Sequence, residues 1–425
     1  MTPLPLRLHD VRIVPGDGPV IEHGTVLTTA DGRLAFVGPA DLAPVAEGEE
    51  TRIDGRGRTV LPGFVDCHVH FAMAPGRGAL HQMRTDPALL ALEAADRMRR
   101  TLHAGVTSAR DLMGTTRGYR EAQASGLIQG PRLTLAVAAL SHTGGHADSH
   151  LPGGDYTPHL PPTAILADTE DEVRLAVRRI LRDGADVIKI CTTGGMSSPH
   201  DGPDDEGLTL AEVRAVVEES DRRGGRPVAA HAQGRAGILT ALRGGVTSIE
   251  HGYGIDQEGI DLLGEHGGVL VPTLSTALEP MDPARTEPHH RAKKERWRDR
   301  TLENVARAIE QGARIALGTD AGVVEHARNL RELGHLVALG MSPLAAIAAG
   351  TAVAADLLGD PSIGRLRPGL RADLVLADGA PDRDITALAA GRAVRLVVQD
   401  GRVVRDDREP DGTRTAVTRT VAAHA

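Results

Sequence analysis

Two histidines one residue apart, His68 and His70 in VLPGFVDCHVHF (60–71), are the first residues whose types and spacing suggest chemistry. Period-two alternation puts both imidazoles on one face at a strand's end, where neutral ring nitrogens suit a divalent metal. An isolated His-x-His is more often a pair of buried, hydrogen-bonded histidines. Other positions in the chain reverse those odds. Lys189 lies between Ile188 and Ile190 in DVIKIC, His231 sits in PVAAHA, His251 ends SIEH and Asp320 falls in ALGTDA. Only three of the 48 basic residues are lysines, Lys189, Lys293 and Lys294, so a lysine kept inside an apolar strand asks for a chemical reason. A buried ammonium tends to lose its proton, and a neutral amine can add carbon dioxide to form a carbamate that spans two cations. Pairing of Lys189 with a buried carboxylate such as Asp186 is the alternative.

These residues must be held by elements, and the middle of the chain alternates short apolar runs with amphipathic segments, the pattern of βα units around a parallel sheet. The runs are 64–70, 106–112, 133–140, 187–192, 228–231, 248–251, 269–274 and 315–320. Helical segments such as LALEAADRMRRTLHAG and TEDEVRLAVRRILRDG follow most of them. The reading is an α/β protein with a (β/α)8 barrel over residues 60–364, a doubly wound open sheet being the alternative. In a parallel barrel the reactive residues stand at the carboxyl ends of strands, which is where His68, His70, Lys189, His231, His251 and Asp320 fall. Residues 1–59 and 365–425 carry short alternating strands with turn signals at Asp31-Gly32 and Asp400-Gly401. They predict one small β-sandwich built from both chain ends, followed by a loosely held tail.

Composition limits the partners. Apolar content of 41% supports a large core, and 2% aromatics make it a core of Ala, Val, Leu and Ile. A formal charge of -9 with scattered arginines argues against a nucleic-acid surface. Cys67 and Cys191 show no disulfide framework and no CxxC spacing, and no signal peptide is visible, so a cytoplasmic location is expected. Residues 336–355 are uncharged but punctuated by Gly, Ser, Pro and Thr, which predicts two packed helical segments and no membrane span. A small-molecule enzyme is the expectation, and its oligomeric state, a homo-oligomer included, is open.

With these residues in place, the sequence resembles the metal-dependent amidohydrolase superfamily, in the branch with a carboxylated lysine bridging two metals. Phrases such as IKICTTGGM, AAHAQGRAGILTALRGGVTSIEHG and LRPGLRADLVL are similar to Xaa-Pro dipeptidases, imidazolonepropionase-like proteins and ochratoxinase-type amidases. The resemblance implies His68, His70 and Asp320 as ligands of one divalent ion, zinc being expected, His231 and His251 as ligands of a second, and carboxylated Lys189 between them. It implies hydroxide attack on an amide carbonyl of a dipeptide or N-acyl amino acid, with Asp320 passing the proton to the leaving nitrogen. Cyclic or aryl amide hydrolysis and ring deamination are alternatives, as is a barrel without catalysis that serves as a binding protein.

In the loop LSHTGGHADSH, which also holds His150, the resemblance implies a histidine donor to the substrate carbonyl, His142 first and His146 second, a solvated His-rich loop being the alternative. TTGGMSSPHD after Lys189 is expected to line or close the pocket. Several dipeptidase relatives carry a tyrosine where this chain has Gln233, which leaves Gln233, Tyr253 or a loop arginine to recognise a substrate carboxylate. Cys67 is expected in the core and Cys191 in a pocket wall, with Asp66 and Glu250 supporting neighbouring histidines. His289, His290, Lys293 and Lys294 are expected on a solvated helix face.

Overall fold

The computed structural model describes residues 4–46, 48–77, 84–148, 163–284 and 286–408, so His150 and the tail beyond 408 lie outside the described residues. Alternating apolar residues draw the first strands together. β1 (Leu6–Ile13), β2 (Ile21–Thr28) and β3 (Leu34–Pro39) form an antiparallel meander, with Gly32 at φ 81 in the expected Asp31-Gly32 turn. β4 (Thr51–Asp54) and β5 (Thr59–Pro62) both pair in parallel with β1, the first along Leu6–His9 and the second at Arg12 and Ile13. The change of partner falls at Asp10, whose φ of 51 bends the strand.

Beyond Gly63 the strands run parallel. β6 (Phe64–Val69), β7 (Val106–Asp111) and β8 (Arg132–Leu135) make one sheet. β9 (Ala139–Ser141), β10 (Ala164–Leu166), β11 (Ile188–Cys191), β12 (Val228–Ala232), β13 (Ser248–His251) and β14 (Val269–Val271) make another, in the order β10-β9-β11-β12-β13-β14. The helices between them begin where the sequence supplies caps. Asp86, Thr169 and Thr209 accept the backbone N–H of Ala88, Glu172 and Glu212 at the starts of Pro87–His103, Glu170–Arg182 and Leu210–Asp221. Thr209 and Glu212 cap each other reciprocally.

Backbone hydrogen bonds link the two parallel sheets at both margins. On one side Asp186 N donates to Leu135 O (2.7 Å). On the other, Leu270 N donates to Arg314 O (2.9 Å), and within 314–321 the chain accepts from Cys67 N at Leu317 O (2.9 Å) and donates from Asp320 N to His68 O (2.7 Å). The segment expected as the eighth strand therefore lies between β14 and β6, though it forms only isolated bridges to each. Two other expected strands are shorter than read. The 133–140 run breaks into β8 and β9 at Val137, held at φ 66, and the 269–274 run stops at β14 because Thr273 turns left-handed (φ 46) into the helix Leu274–Leu278. Residues 336–355 pass through three helices, Arg331–Ala338, Pro343–Ala349 and Ala352–Leu358, where two segments are expected. No described helix is long and apolar enough to cross a membrane.

β15 (Leu374–Ala377), β16 (Val394–Gln399) and β17 (Arg402–Asp406) then return to the first sheet, in the order β17-β16-β15-β5-β1-β2-β3. Strands from both chain ends are thus joined in one hydrogen-bonded strand order. β5 pairs with β1 on one side and antiparallel with β15 on the other (Leu374↔Pro62, Leu376↔Val60), so strands from the two ends of the chain are hydrogen-bonded neighbours. Leu8, Ile13, Val26, Val60, Leu374 and Leu396 form their single buried core. The boundary expected at residue 60 falls inside β5. Asp400 and Gly401 turn with φ 47 and 71, and this turn packs on the first one so closely that a Cβ on Gly32 would lie 2.3 Å from Asp400 O.

Candidate active site

The carboxyl ends of β6, β11, β12 and β13 and the 314–321 segment open into one cavity of about 360 Å³. His68, His70, Lys189, His231, His251 and Asp320 all line it, as the sequence predicts. Ring centroids of His68 and His70 are 5.2 Å apart, those of His68 and His251 5.0 Å, and those of His231 and His251 4.6 Å. Asp320 Oδ1 lies 3.1 Å from His70 Nε2 and 3.5 Å from His68 Nε2. His251 and Asp320 sit at φ 71 and 57, left-handed positions that cost energy for residues with a Cβ and that aim both side chains inward.

Three of the histidines are oriented from behind. Glu250 Oε2 lies 2.9 Å from His68 Nδ1, while its Oε1 accepts Arg110 Nη2 (2.7 Å) and Ser248 Oγ (2.5 Å). With Nδ1–H donated to that carboxylate, His68 presents Nε2 to the cavity. Thr273 Oγ1 holds His251 Nδ1 at 2.7 Å, and Gly194 O holds His231 Nε2 at 3.1 Å. Asp66 accepts the backbone N–H of His68 (3.0 Å) and of Thr319 (3.2 Å), and so ties β6 to the turn that carries Asp320. Asp66 and Glu250 therefore support the histidines, as expected.

The electrostatics suit a metal. Burial, then the Lys189 charge, holds His68 well below the ordinary imidazole range; burial, then His146, does the same for His231. Burial, opposed by Asp320, brings His251 down to about 3. Neutral imidazole is the ligating form. Burial alone would raise the Asp320 pKa, but the adjoining His68 and His70 rings keep it well below the usual carboxylate range. His68, His251 and Asp320 offer ligand atoms within 4.8 Å of one another. Lys189 is 4% exposed and its Nζ has no hydrogen-bond partner among the described residues. Burial, opposed by Glu250, lowers its pKa. Its alternative partner is taken, because Asp186 binds Arg120 Nη1 at 2.5 Å. A buried, unpaired amine among imidazoles and a carboxylate fits a centre completed by cations.

The wall departs from expectation in three places. His142 does not line the cavity. The chain turns as soon as β9 ends, with Gly145 N bonded to His142 O (3.0 Å), and His142 Nδ1 faces Thr143 O (2.8 Å). His146 stands at the site instead, stacked on His231 at 4.0 Å with Nδ1 3.7 Å from Asp201 Oδ2. Tyr253 lines the cavity, but its hydroxyl is engaged by Thr273 Oγ1 (2.9 Å) and Thr273 O (3.3 Å), so it offers mainly a ring. The helix Pro288–Glu310 is not a solvated appendage. His290 lines the cavity, and Lys293 donates to Gly195 O (3.2 Å), Ser198 O (2.6 Å) and Asp201 O, pinning the loop that supplies Met196 through His200 to the wall. Lys294 bonds Glu279 O, and His289, expected to be solvated, is half-buried with its Nε2 at Ser197 O (3.0 Å). A signal for this helix exists in the sequence: His290, Trp297, Thr301, Asn304 and Ala308 follow helical spacing and are all buried. Arg110, Thr273 and Asp201 carry no comparable signal, since each acts through a partner distant in sequence.

Gln233 lines the cavity at 5% exposure, and the Gly- and Ser-rich loop after Lys189 forms wall, as expected. Cys191 is a buried wall residue whose thiol burial pushes up to about 11, so it is no nucleophile at neutral pH. Cys67 packs against Val65, Val269 and Ala316 in the core.

Parallel strands that gather imidazoles, a carboxylate and an unpaired lysine at their carboxyl ends define a metal-capable hydrolase site. The family model described as Amidohydrolase family matches residues 59–404, and the chain belongs to that family, hydrolases acting on carbon–nitrogen bonds. It is 33% identical over 413 residues to ochratoxinase of Aspergillus niger, covering 92% of this chain and 85% of that protein. Among solved structures it is similar to a prolidase complexed with N-methylphosphonate-L-proline (TM-score 0.85, 31% identity, 95% of this chain and 100% of that one). A Xaa-Pro dipeptidase with methionine bound in its active site is also similar (TM-score 0.83, 30% identity, 94% and 99%).

Proposed function

We propose that the two parallel sheets and the 314–321 segment are the wall of a (β/α)8 barrel, and that its mouth is a binuclear centre for amide hydrolysis. His68, His70 and Asp320 would hold one divalent ion, His231 and His251 a second, with Lys189, as its carbamate, between them; zinc suits this donor set. Such ions, when bound, supply Lewis acidity and lower the pKa of water. The chain supplies the rest. Asp320, kept anionic by its histidines, accepts the proton of the attacking water and returns it to the leaving nitrogen. His146, at the cavity rim beside His231, donates to the carbonyl oxygen as charge develops there. The names of the similar proteins, an ochratoxinase, a prolidase and a Xaa-Pro dipeptidase, favour an N-acyl amino acid or a dipeptide as substrate.

The observation that carries this reading is the partnerless Lys189 Nζ in a wall of ligand-type residues. Metal analysis of the purified protein and turnover of dipeptide, N-acyl amino acid and ring-amide libraries test it. Lys189→Ala and Asp320→Asn are each expected to lose at least about 1000-fold in kcat/KM with circular dichroism and Tm of a folded protein. Either variant keeping most of its activity on a verified substrate overturns the mechanism.

A further inference from the structure

Above the histidines the cavity is mostly apolar: Met73, Leu112, Met113, Met196 and Val323 form much of it. Among the described lining residues there is no arginine, and Lys189 is the only lysine. Two cations near the cavity are already engaged: Arg110 binds Glu250 Oε1 and Cys67 O (2.7 and 2.6 Å), and Lys293 is spent on loop carbonyls. His290 is held near pKa 4 by burial, then by Lys294, and so is neutral.

Apart from His70, Lys189 and His146, to which roles are given above, one lining side chain has a buried polar atom without a partner among the described residues. Gln233 is buried, and its Oε1 has no hydrogen-bond partner among the described residues. Its backbone is fixed on both sides, N to Thr193 Oγ1 (3.0 Å) and O from Gly254 N (2.7 Å), so the side chain is delivered to the cavity from a rigid base. A buried acceptor without a donor costs about 1–3 kcal/mol, a cost that a bound group bearing N–H removes. The same amide end carries a donor, so it can read a group that both gives and takes a hydrogen bond.

We propose that Gln233 is the specificity residue for the polar group next to the scissile bond, and that it reads this group without charge. Resting on the amide-hydrolase reading above, this places N-acyl amino acid carboxamides among the substrates, accepted at least as well as the corresponding acids.

The test is a matched pair, N-acetyl-leucine and N-acetyl-leucinamide, with the zinc-loaded full-length protein. The expected kcat/KM for the amide is equal to or above that for the acid. Gln233→Leu should lower the amide's kcat/KM about 10- to 100-fold, mainly through KM, and Gln233→Arg should move the ratio about 100-fold toward the acid. Calorimetric titration with leucinamide and leucine gives a second readout that needs no turnover. Tighter leucinamide binding, weakened in Gln233→Leu, supports the proposal even if no library amide is cleaved, a result that would overturn the hydrolase mechanism alone. An acid preference above about 100-fold in the wild type, or Gln233→Leu leaving both measurements unchanged, overturns the assignment of Gln233.

Discussion

At the scale of single residues, the site depends on groups that orient other groups. Glu250 is the clearest case, a buried carboxylate between His68 Nδ1 and Arg110 Nη2 (2.9 and 2.7 Å). Glu250→Gln keeps the shape but can no longer serve as an anionic acceptor for both donors. Metal affinity, measured by competition with a chelator, is expected to fall about 10- to 100-fold while the protein stays folded. The ligand-type residues themselves were legible in the sequence because their chemistry is local: a rare lysine in an apolar run and imidazoles closing others. Tyr253 shows what was not legible. Its type suggested a hydroxyl donor, but the left-handed turn at Thr273, more than a dozen residues on, captures that hydroxyl.

Elements place these residues, and one element does more than its sequence suggests. The helix Pro288–Glu310 reads as polar, yet Trp297 packs with Met196, Tyr253 and Ala277 beneath the loop that Lys293 clamps. Lys293→Met is expected to free that loop. KM should rise roughly tenfold with metal content unchanged, and amide hydrogen exchange across 194–202 should quicken. An unchanged exchange pattern would mean that the three carbonyl contacts do not hold the loop. Amphipathic helices with capping residues were legible, since Thr209 and Glu212 advertise a start by spacing alone. The break at Val137 was not, because no glycine or proline marks it; contacts such as Gly114 N to Val137 O (2.8 Å) impose the left-handed residue from outside.

For the molecule as a whole, the terminal sheet and the parallel strands meet through Arg132, which binds Asp373 (2.7 Å) and Asp400 (2.8 Å) from β8. Asp373 is 3% exposed, so removing its partner strands a buried carboxylate. Arg132→Met is expected to cost about 1–3 kcal/mol of unfolding free energy, discounted for the partly exposed guanidinium, with metal content unchanged. Urea denaturation of the two proteins measures it. The sequence showed that both chain ends are strand-rich. It could not show that β5 and β15 are neighbours, because alternation reports which face is buried and says nothing about which distant strand is the neighbour.

The pairing of β5 with β15 also has a temporal side. Pro62 waits for Leu374, some three hundred residues later, before that edge is covered. During synthesis the parallel strands emerge while an apolar ribbon at their root is still open, in the state where edge-to-edge association between neighbouring nascent chains competes with folding. The strand that covers this edge thus leaves the ribosome some three hundred residues after it, and a chain interrupted before residue 374 exposes a sticky margin however sound its catalytic half.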